Sequence, residues 1–512
     1  MSRVPVLVAG AGPIGLTMAA ELTRRGITCR IVEKSPARTD LSKALVVWPR
    51  TLELLRQAGA AGAFLAAGRK ITAARLYAGS RVLANIGFDQ IETPYPFALF
   101  VPQSETERLL EEHLGRLGIA VERQIELIDF TPSADGVVAS LRRADGQTES
   151  VAADYLIGCD GAHSIVRHKL GFAFDGVSEQ GIWVLGDVKL RNHPHPGELL
   201  LFWHGAGVLA IFPMNQDRYR IIADGGNDAA TADRSEKSEA TMAQIQALLD
   251  RRGPGGIEAY DPVWLSFFRI NERKVKNYRG GRVFLVGDAA HIHSPAGGQG
   301  MNTGMQDAFN LAWKLALTIG GQGSESLLDT YSSERAAVGD MVLRNATRLT
   351  HIATLRNKPA REVRNTLAWL LMKLPLFRRF FAAAMTELDI AYPNSSLSRQ
   401  GAGYAGKLKP GDRAPDTHVA AGEMKRVALF DMLNREGFTL LGIGGKAIEL
   451  PERYADLIET IHLAAEQDVA GELAARYGEG LFLIRPDWYI GLCAAPSDMR
   501  AVEDYLSEWL KV

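Results

Sequence analysis

Residues 281–317 read GRVFLVGDAAHIHSPAGGQGMNTGMQDAFNLAWKLAL, and the fold is decided there. Val283 to Val286 is a short apolar run of the kind that makes a buried parallel strand. Gly287 and Asp288 end it, which sets a carboxylate at the strand's carboxyl edge, where open α/β sheets bind ligands. The loop that follows carries Gly297, Gly298, Gly300 and Gly304. From about Thr303 the pattern is helical, with Ala308, Leu311, Ala312 and Leu315 on one face, Asn302 as the expected N-cap and Asp307 suited to the dipole of the first turns. Strand, acid, glycine loop and helix together bring backbone N–H groups and a positive helix end to a flat or anionic ligand.

Working outward, the N-terminus has a related layout. Val4 to Ala9 reads as a strand and is followed by Gly10-x-Gly12-x-x-Gly15, with Pro13 in the first turn of a helix, where proline is tolerated. A second strand, Cys29 to Val32, ends on Glu33, 18 residues after Gly15. In a dinucleotide fold the glycines allow the tight turn and close pyrophosphate approach, and the acid accepts from the ribose hydroxyls. An acid there favours an unphosphorylated ribose, hence FAD or NAD over NADP in this site. Further on, YLIGCDGAHSIVRHKLG at 155–171 is a buried strand, an Asp160-Gly161 turn and a helix carrying Arg167. Between Val184 and Asp224 four strand-like runs closed by Gly, Pro or Asn turns predict an antiparallel sheet.

Composition narrows the partners. Lys+Arg 58 against Asp+Glu 59 gives a net charge of −1, which argues against nucleic acid or an anionic membrane as the general partner. Cys29, Cys159 and Cys493 form no CxxC, which excludes a dithiol centre of the usual spacing and fits a reducing cytoplasm. The first strand begins within four residues, so no signal peptide is expected, and no apolar run reaches the length of a membrane span. Residues 366–381, TLAWLLMKLPLFRRFF, are apolar with basic punctuation and break at Pro375; they read as buried core, with a membrane-surface helix as the alternative. Residues 399–415 are rich in Gly, Pro and charge, as in a linker, and a cut near Gly403 is expected to leave the cofactor-binding part intact. Gly442-x-Gly444-Gly445 reads as a plain turn.

The stretch GDAAHIHSPAGGQGMNTGMQDAFNLAWKL resembles the second flavin-contacting motif of the class A (single-component) flavoprotein aromatic hydroxylases, and GxGxxG, DG and GD stand in that family's order. The resemblance implies an α/β fold: a Rossmann-like, p-hydroxybenzoate-hydroxylase-like FAD-binding domain (1–70, 101–175 and 270–395), an inserted β-sheet substrate domain (71–100 and 176–269), a linker (396–416) and a thioredoxin-like C-terminal domain (417–512) lacking CxxC, closest to the phenol and polyketide branch. It also implies a monooxygenase. NADPH or NADH reduces noncovalent FAD, O2 forms a flavin C4a-hydroperoxide, and one oxygen passes to a phenolic aromatic or polyketide-type substrate.

Carried over residue by residue, Gly10, Gly12, Pro13, Ile14, Gly15, Glu33, Lys34, Lys43, Gln103, Asp160, Asp288, Pro295, Gly298, Gly300, Met301 and Asn302 would hold FAD. Lys43 stands where the family has an arginine near the pyrophosphate, and Arg50 is the expected compensation. Pro295 should flank the reacting edge, and His204 and Arg220, then His291 and His293, are candidates for the group that handles the phenolic proton. No metal is expected, and the protein is expected to act as a monomer or homodimer. Baeyer–Villiger or oxidase chemistry on the same fold, or a flavin-loaded binding protein without turnover, are the alternatives. A flavin halogenase would want a WxWxIP signature, which is absent.

Overall fold

In the computed structural model, which describes residues 2–511 apart from 41, 216, 226–238, 296, 421–425 and 446, the chain opens with β1 (Ser2–Ala9), α1 (Pro13–Arg24) and β2 (Cys29–Glu33). β1 is central, flanked in parallel by β2 and by β3 (Thr148–Gly158), and β3 pairs in parallel with β4 (Val283–Leu285). Val6, Leu7 and Val8 are fully buried, as are Val283, Phe284 and Leu285, so the apolar runs read as parallel strands lie inside a covered sheet. The carboxyl ends of β1, β3 and β4 therefore come to one edge, bringing the three motifs together. α2 (Gly300–Ile319) follows β4 and packs against α1. Ile14 fills that contact: a Cβ on Gly304 would lie 2.8 Å from its Cγ1, and one on Gly287 2.9 Å away.

The inserted layer is an eight-stranded sheet. The four runs expected between Val184 and Asp224 are antiparallel as read, although the first pairs with the last, Trp183 lying opposite Asp224. Two strands of 17 residues, Asp175–Arg191 and Glu258–Lys274, pair along most of their length. The second runs past the expected boundary at 269 and meets His291–Ile292 through Arg273 and Lys274. The inserted sheet thus reaches the GD loop directly. Ala73–Ala78 and Arg81–Gly87 complete its far edge, whereas Ala98–Phe100 leaves it for a small sheet with Val46–Val47.

Three helices follow, α3 (Asp329–Ala353), α4 (Lys358–Leu371) and α5 (Pro375–Met385), the last beginning at the expected proline. The core assignment for 366–381 holds for one face only: Met372 is buried and Ala368, Trp369, Phe377 and Phe381 pack on the same cluster, whereas Leu367, Leu370, Leu374, Leu376 and Phe380 are 50–81% exposed. The linker assignment is corrected. Gly401 N–H donates to Cys493 O (2.7 Å), Gly411 N–H to Ile490 O (2.7 Å) and Ala414 N–H to Trp488 O (3.0 Å). Leu397, Tyr404, Leu408 and Ala414 are buried, so this segment forms part of the terminal unit. The five-stranded terminal sheet contains Ile458–Leu463, a strand absent from the sequence reading, parallel to Phe438–Ile443. Gly444 and Gly445 form a turn after that strand, both with positive φ.

Candidate active site

The carboxyl ends of β1, β3 and β4 and the first turn of α2 enclose a cleft of about 510 Å³. Of the expected cofactor residues, Gly12, Pro13, Ile14, Lys34, Lys43, Gln103, Asp160, Asp288, Pro295, Gly298, Gly300 and Met301 line it. Gly10, Gly15 and Glu33 stand just behind. Gly10 has φ +101° and a Cβ there would sit 2.4 Å from Cys159 O; a Cβ on Gly15 would meet Gly10 O at 1.9 Å. Only glycine fits either place. A Cβ on Gly12 meets nothing within 4 Å, so this glycine holds the floor of the cleft open. Glu33 accepts from Ala11 N–H and Ser35 N–H, each at 2.9 Å, which aims its carboxylate at the GxGxxG turn.

α2 begins at Gly300, three residues ahead of the expected start, with Gln299 in the cap position. The backbone N–H groups of Gly300, Met301 and Asn302 precede any intrahelical acceptor, and Gly300 and Met301 face the cleft. Asn302 caps nothing with its side chain. Its Oδ1 accepts from Trp48 N–H (2.8 Å) while its Nδ2 donates to Val46 O (2.9 Å) and Gly298 O (3.1 Å). This clamp fixes the glycine loop against the wall carrying Lys43 to Val46. Trp48 Nε1 adds a bond to Gly297 O at 2.9 Å.

Two carboxyls serve the cleft. Asp288 projects into it, its surface open to the cleft and its other sides closed by protein; burial raises its pKa against the pull of His291 and Lys43. Asp160 is likewise pushed up by burial, and its Oδ1 is buried with no partner among the described residues, while Oδ2 accepts from Val166 N–H (3.2 Å). Arg167 ties the two acid loops together, donating to Ala289 O (3.0 Å) and Ala162 O (2.7 Å). Gln103 accepts from Ala44 N–H at 3.1 Å and so steadies the Lys43 segment.

The proton-handling candidates separate sharply. His204 lines neither the cleft nor the neighbouring cavity; it sits on the Leu199–His204 strand end, where Nδ1 accepts from Ala206 N–H at 3.1 Å. Arg220 does line the cleft, but it grips Asp187 through two bonds of 2.8 Å and donates to Lys43 O at 2.8 Å. A guanidinium offers donors and no acceptor, so Arg220 positions the Lys43 loop and cannot take a proton. His291 is committed to Asp307 (2.8 Å), which also receives Arg335 Nε (2.5 Å) and Gly287 N–H (3.1 Å). Asp307 therefore joins β4 to α2 and α3 through a buried ion cluster, more than it serves the dipole. His293 remains at the cleft. Its Nδ1–H donates to Ser294 O (2.9 Å), which leaves Nε2 as a lone pair, buried with no partner among the described residues; burial lowers its pKa to about 4. Arg50 does not compensate for Lys43. It is fully buried, paired with Glu53 (3.0 Å) and donating to Asp487 O (2.7 Å) on the C-terminal unit.

A second cavity, of about 520 Å³, lies beyond the glycine loop. Pro295, Gly298, Val46, Phe212 and Ile222 line both spaces, so the two share one wall. The rest is aliphatic and aromatic, including Trp48, Phe100, Trp183 and Trp203, roofed by α4 and α5. Its few polar side chains are engaged: Thr350 with Ser294 (3.0 Å), and Arg364 with Ile352 O (2.8 Å) and over the Trp203 ring (4.4 Å).

The cleft suits a dinucleotide flavin: an open glycine turn with the Glu33 carboxylate fixed behind it, a cation at Lys43, the Asp160 and Asp288 carboxyls and a helix N-terminus surround one space. Comparison with known proteins agrees. Residues 3–346 match the family model described as FAD binding domain, and residues 408–511 that of the aromatic-ring hydroxylase C-terminal domain. The chain is 35% identical to 6-methylpretetramide 4-monooxygenase of Streptomyces rimosus over 95% of its own length and 90% of the relative's. Among solved structures, anhydrotetracycline hydroxylase from Streptomyces rimosus superposes with a TM-score of 0.81 at 32% identity, covering 99% of each chain. The ternary complex of aklavinone-11 hydroxylase with FAD and aklavinone gives 0.79 at 25% identity, covering 99% of this chain and 98% of that one. With the cleft, the shared wall and both domain matches in place, the chain belongs to the class A FAD-dependent aromatic hydroxylases.

Proposed function

We propose that this monooxygenase hydroxylates a multi-ring phenol of the polyketide kind, using NAD(P)H and O2. The observation that carries the substrate class is the apolar cavity of about 520 Å³ sharing the Pro295–Gly298 wall with the FAD cleft. A cavity of about 150 Å³ already takes one benzene ring, so this one suits several fused rings. The tetracycline-type and aklavinone-type names of the relatives support the same class. FAD bound in the cleft supplies the electron transfer from NAD(P)H and the activation of O2.

The chain's own residues do the rest. The N–H groups at the start of α2 and its positive end stabilise negative charge beside them. Lys43, held by Arg220, offers a cation to the pyrophosphate. Pro295 and Gly298 separate cofactor from substrate, and the apolar walls beyond keep water away from the reacting edge. His293 lines the cleft with a neutral ring whose buried Nε2 has no partner among the described residues; with its pKa lowered to about 4 it offers a hydrogen-bond acceptor and not a strong base. The test is turnover of a panel of mono- and polycyclic phenols under isotopically labelled O2. One labelled oxygen atom is expected on the ring, ortho or para to the hydroxyl. Label confined to H2O2 with every phenol would mark an oxidase, and label in a ring-inserted ester a Baeyer–Villiger enzyme.

Asp288→Ala is expected to weaken FAD retention while leaving the fold intact, since the side chain projects into the cleft. Loss of a charge-assisted hydrogen bond costs about 1.5–3 kcal/mol, or roughly 10- to 150-fold in Kd. Flavin release in dilution series reads this directly, and wild-type retention in the variant would remove Asp288 from the cofactor site.

A further inference from the structure

α4 and α5 turn an apolar row outward. Val363, Leu367 and Leu370 recur at i, i+4 and i+7 and stack on one side of α4. Leu374 continues the row, and Leu376 and Phe380 carry it onto α5. These six side chains are 50–81% exposed, which is a contiguous strip and not the usual scatter of single surface hydrophobics. Residues 355–385 hold seven Lys and Arg and a single acid, Glu362, in a chain of net charge −1; Arg364 is buried and Arg379 pairs with Glu92, so Arg356, Lys358, Arg361, Lys373 and Arg378 set the local positive charge. The apolar cavity opens at the same place. Ile352, Leu355, Val363 and Leu367 line it and are 36–67% exposed, which places them at its mouth.

We propose that the α4–α5 hairpin seats this enzyme on the surface of an anionic lipid bilayer, with the apolar row at the acyl boundary, the basic residues at the phosphates and the cavity mouth facing the lipid. Neither helix can cross: α4 has 14 residues and α5 has 11, where about 20 are needed. No helix among the described residues is long and apolar enough to span a membrane. In-plane binding by buried apolar area plus basic residues fits these lengths. A second copy of the chain is the poorer occupant. A two-fold contact would set this basic surface against itself, whereas a layer of anionic headgroups neutralises it.

The test uses the FAD-loaded protein and co-sedimentation with vesicles, without turnover, so its failure leaves the proposed reaction untouched. Vesicles of equal parts phosphatidylglycerol and phosphatidylcholine are expected to bind at least about tenfold more strongly than phosphatidylcholine alone. Leu376→Glu combined with Phe380→Glu should lower that binding by about tenfold or more. Leu370→Glu with Leu374→Glu should do the same from the other helix. None of these four side chains lines either cavity, so turnover in solution should be unchanged. Absence of vesicle binding by the unmodified protein, or full binding by both variants, overturns the proposal. So does light scattering that finds a dimer which the glutamate variants split, since the face would then belong to a second copy.

Discussion

Arg485→Met is expected to destabilise the FAD-loaded protein by about 3–5 kcal/mol, although Arg485 touches neither the cleft nor the cavity. The side chain is fully buried where the C-terminal unit meets α2 and α3. It spans two carboxylates, reaching Glu334 at 2.6 and 3.0 Å and Asp487 at 2.6 and 3.0 Å. Lys314 completes the cluster, 2.8 Å from both Glu334 and Asn310. Burial pulls the Lys314 ammonium down to about 8 against the field of Glu334. Burial also opposes the charge on Glu334, yet Arg485 and Lys314 overcome it and hold its carboxyl well below the usual range. Two cations and two anions balance; methionine leaves one buried negative charge over. Arg485→Lys keeps the charge but not the double fork, and should cost less. Urea unfolding of the three proteins makes the comparison, and a methionine variant within about 0.5 kcal/mol of wild type would show the cluster to be energetically neutral. The same geometry reverses the expectation for a cut near Gly403. Such a cut removes Arg485 and Asp487 and strips the cover from Trp313 and Leu327, which pack with Phe438, Leu440 and Leu483. Aggregation of the truncated chain is the expected result.

That cluster also marks where sequence reading stops. The three cofactor motifs were legible because each is a local backbone demand: a strand end, a turn that excludes a Cβ, a helix start. Gly10, Gly15 and Asp288 stand where those demands put them. Arg50 could not be placed in the same way. It follows the Lys43 segment closely, but the helix Pro49–Gln57 turns its buried face to the C-terminal unit, a contact made more than 400 residues away. Lys314 and Glu334 look in sequence like ordinary helix-surface charges, and their partner arrives from 485. Asn302 has the chemistry of a cap and is used as a clamp, since a side-chain amide can satisfy Trp48 and Val46 as readily as its own helix. The Gly/Pro-rich stretch after 398 told where the chain bends; whether those bends are hydrogen-bonded to the terminal sheet depends on residues such as Cys493 and Ile490. His204 failed for a related reason, because alternation along a strand gives a face, not the distance of a residue from the cleft.

Glu387 should contribute a loss of stability as pH rises between about 5 and 8.5, and Glu387→Gln should abolish that contribution. Glu387 is 1% exposed behind the first turns of α2, where its Oε1 faces Thr303 Oγ1 (2.7 Å) and its Oε2 accepts from Gln306 Nε2 (2.6 Å). Burial pushes its pKa up to about 8, against the pull of Thr303, Arg335 and Gln306. The folded protein therefore keeps a proton that the unfolded chain loses from about pH 4.5 upward. More protons bound in the folded state means that stability declines with rising pH through this window, by up to about 1.4 kcal/mol per pH unit, and the loss is complete once pH passes the folded pKa. Over the whole interval the contribution is on the order of 4–5 kcal/mol. Glutamine imitates the neutral acid at every pH, and Thr303 Oγ1 can accept as well as donate, so the pocket loses no partner. Because all other groups titrate alike in the two proteins, the informative quantity is the difference between them. Urea unfolding at pH 5 and pH 8.5 should find the variant close to wild type at the lower value and more stable by several kcal/mol at the higher. Flavin release should follow the same order, since Thr303 and Gln306 belong to the helix whose N-terminus faces the cofactor. Parallel pH profiles for the two proteins would show that Glu387 is ionised in the folded state and that its charge is carried by Arg335.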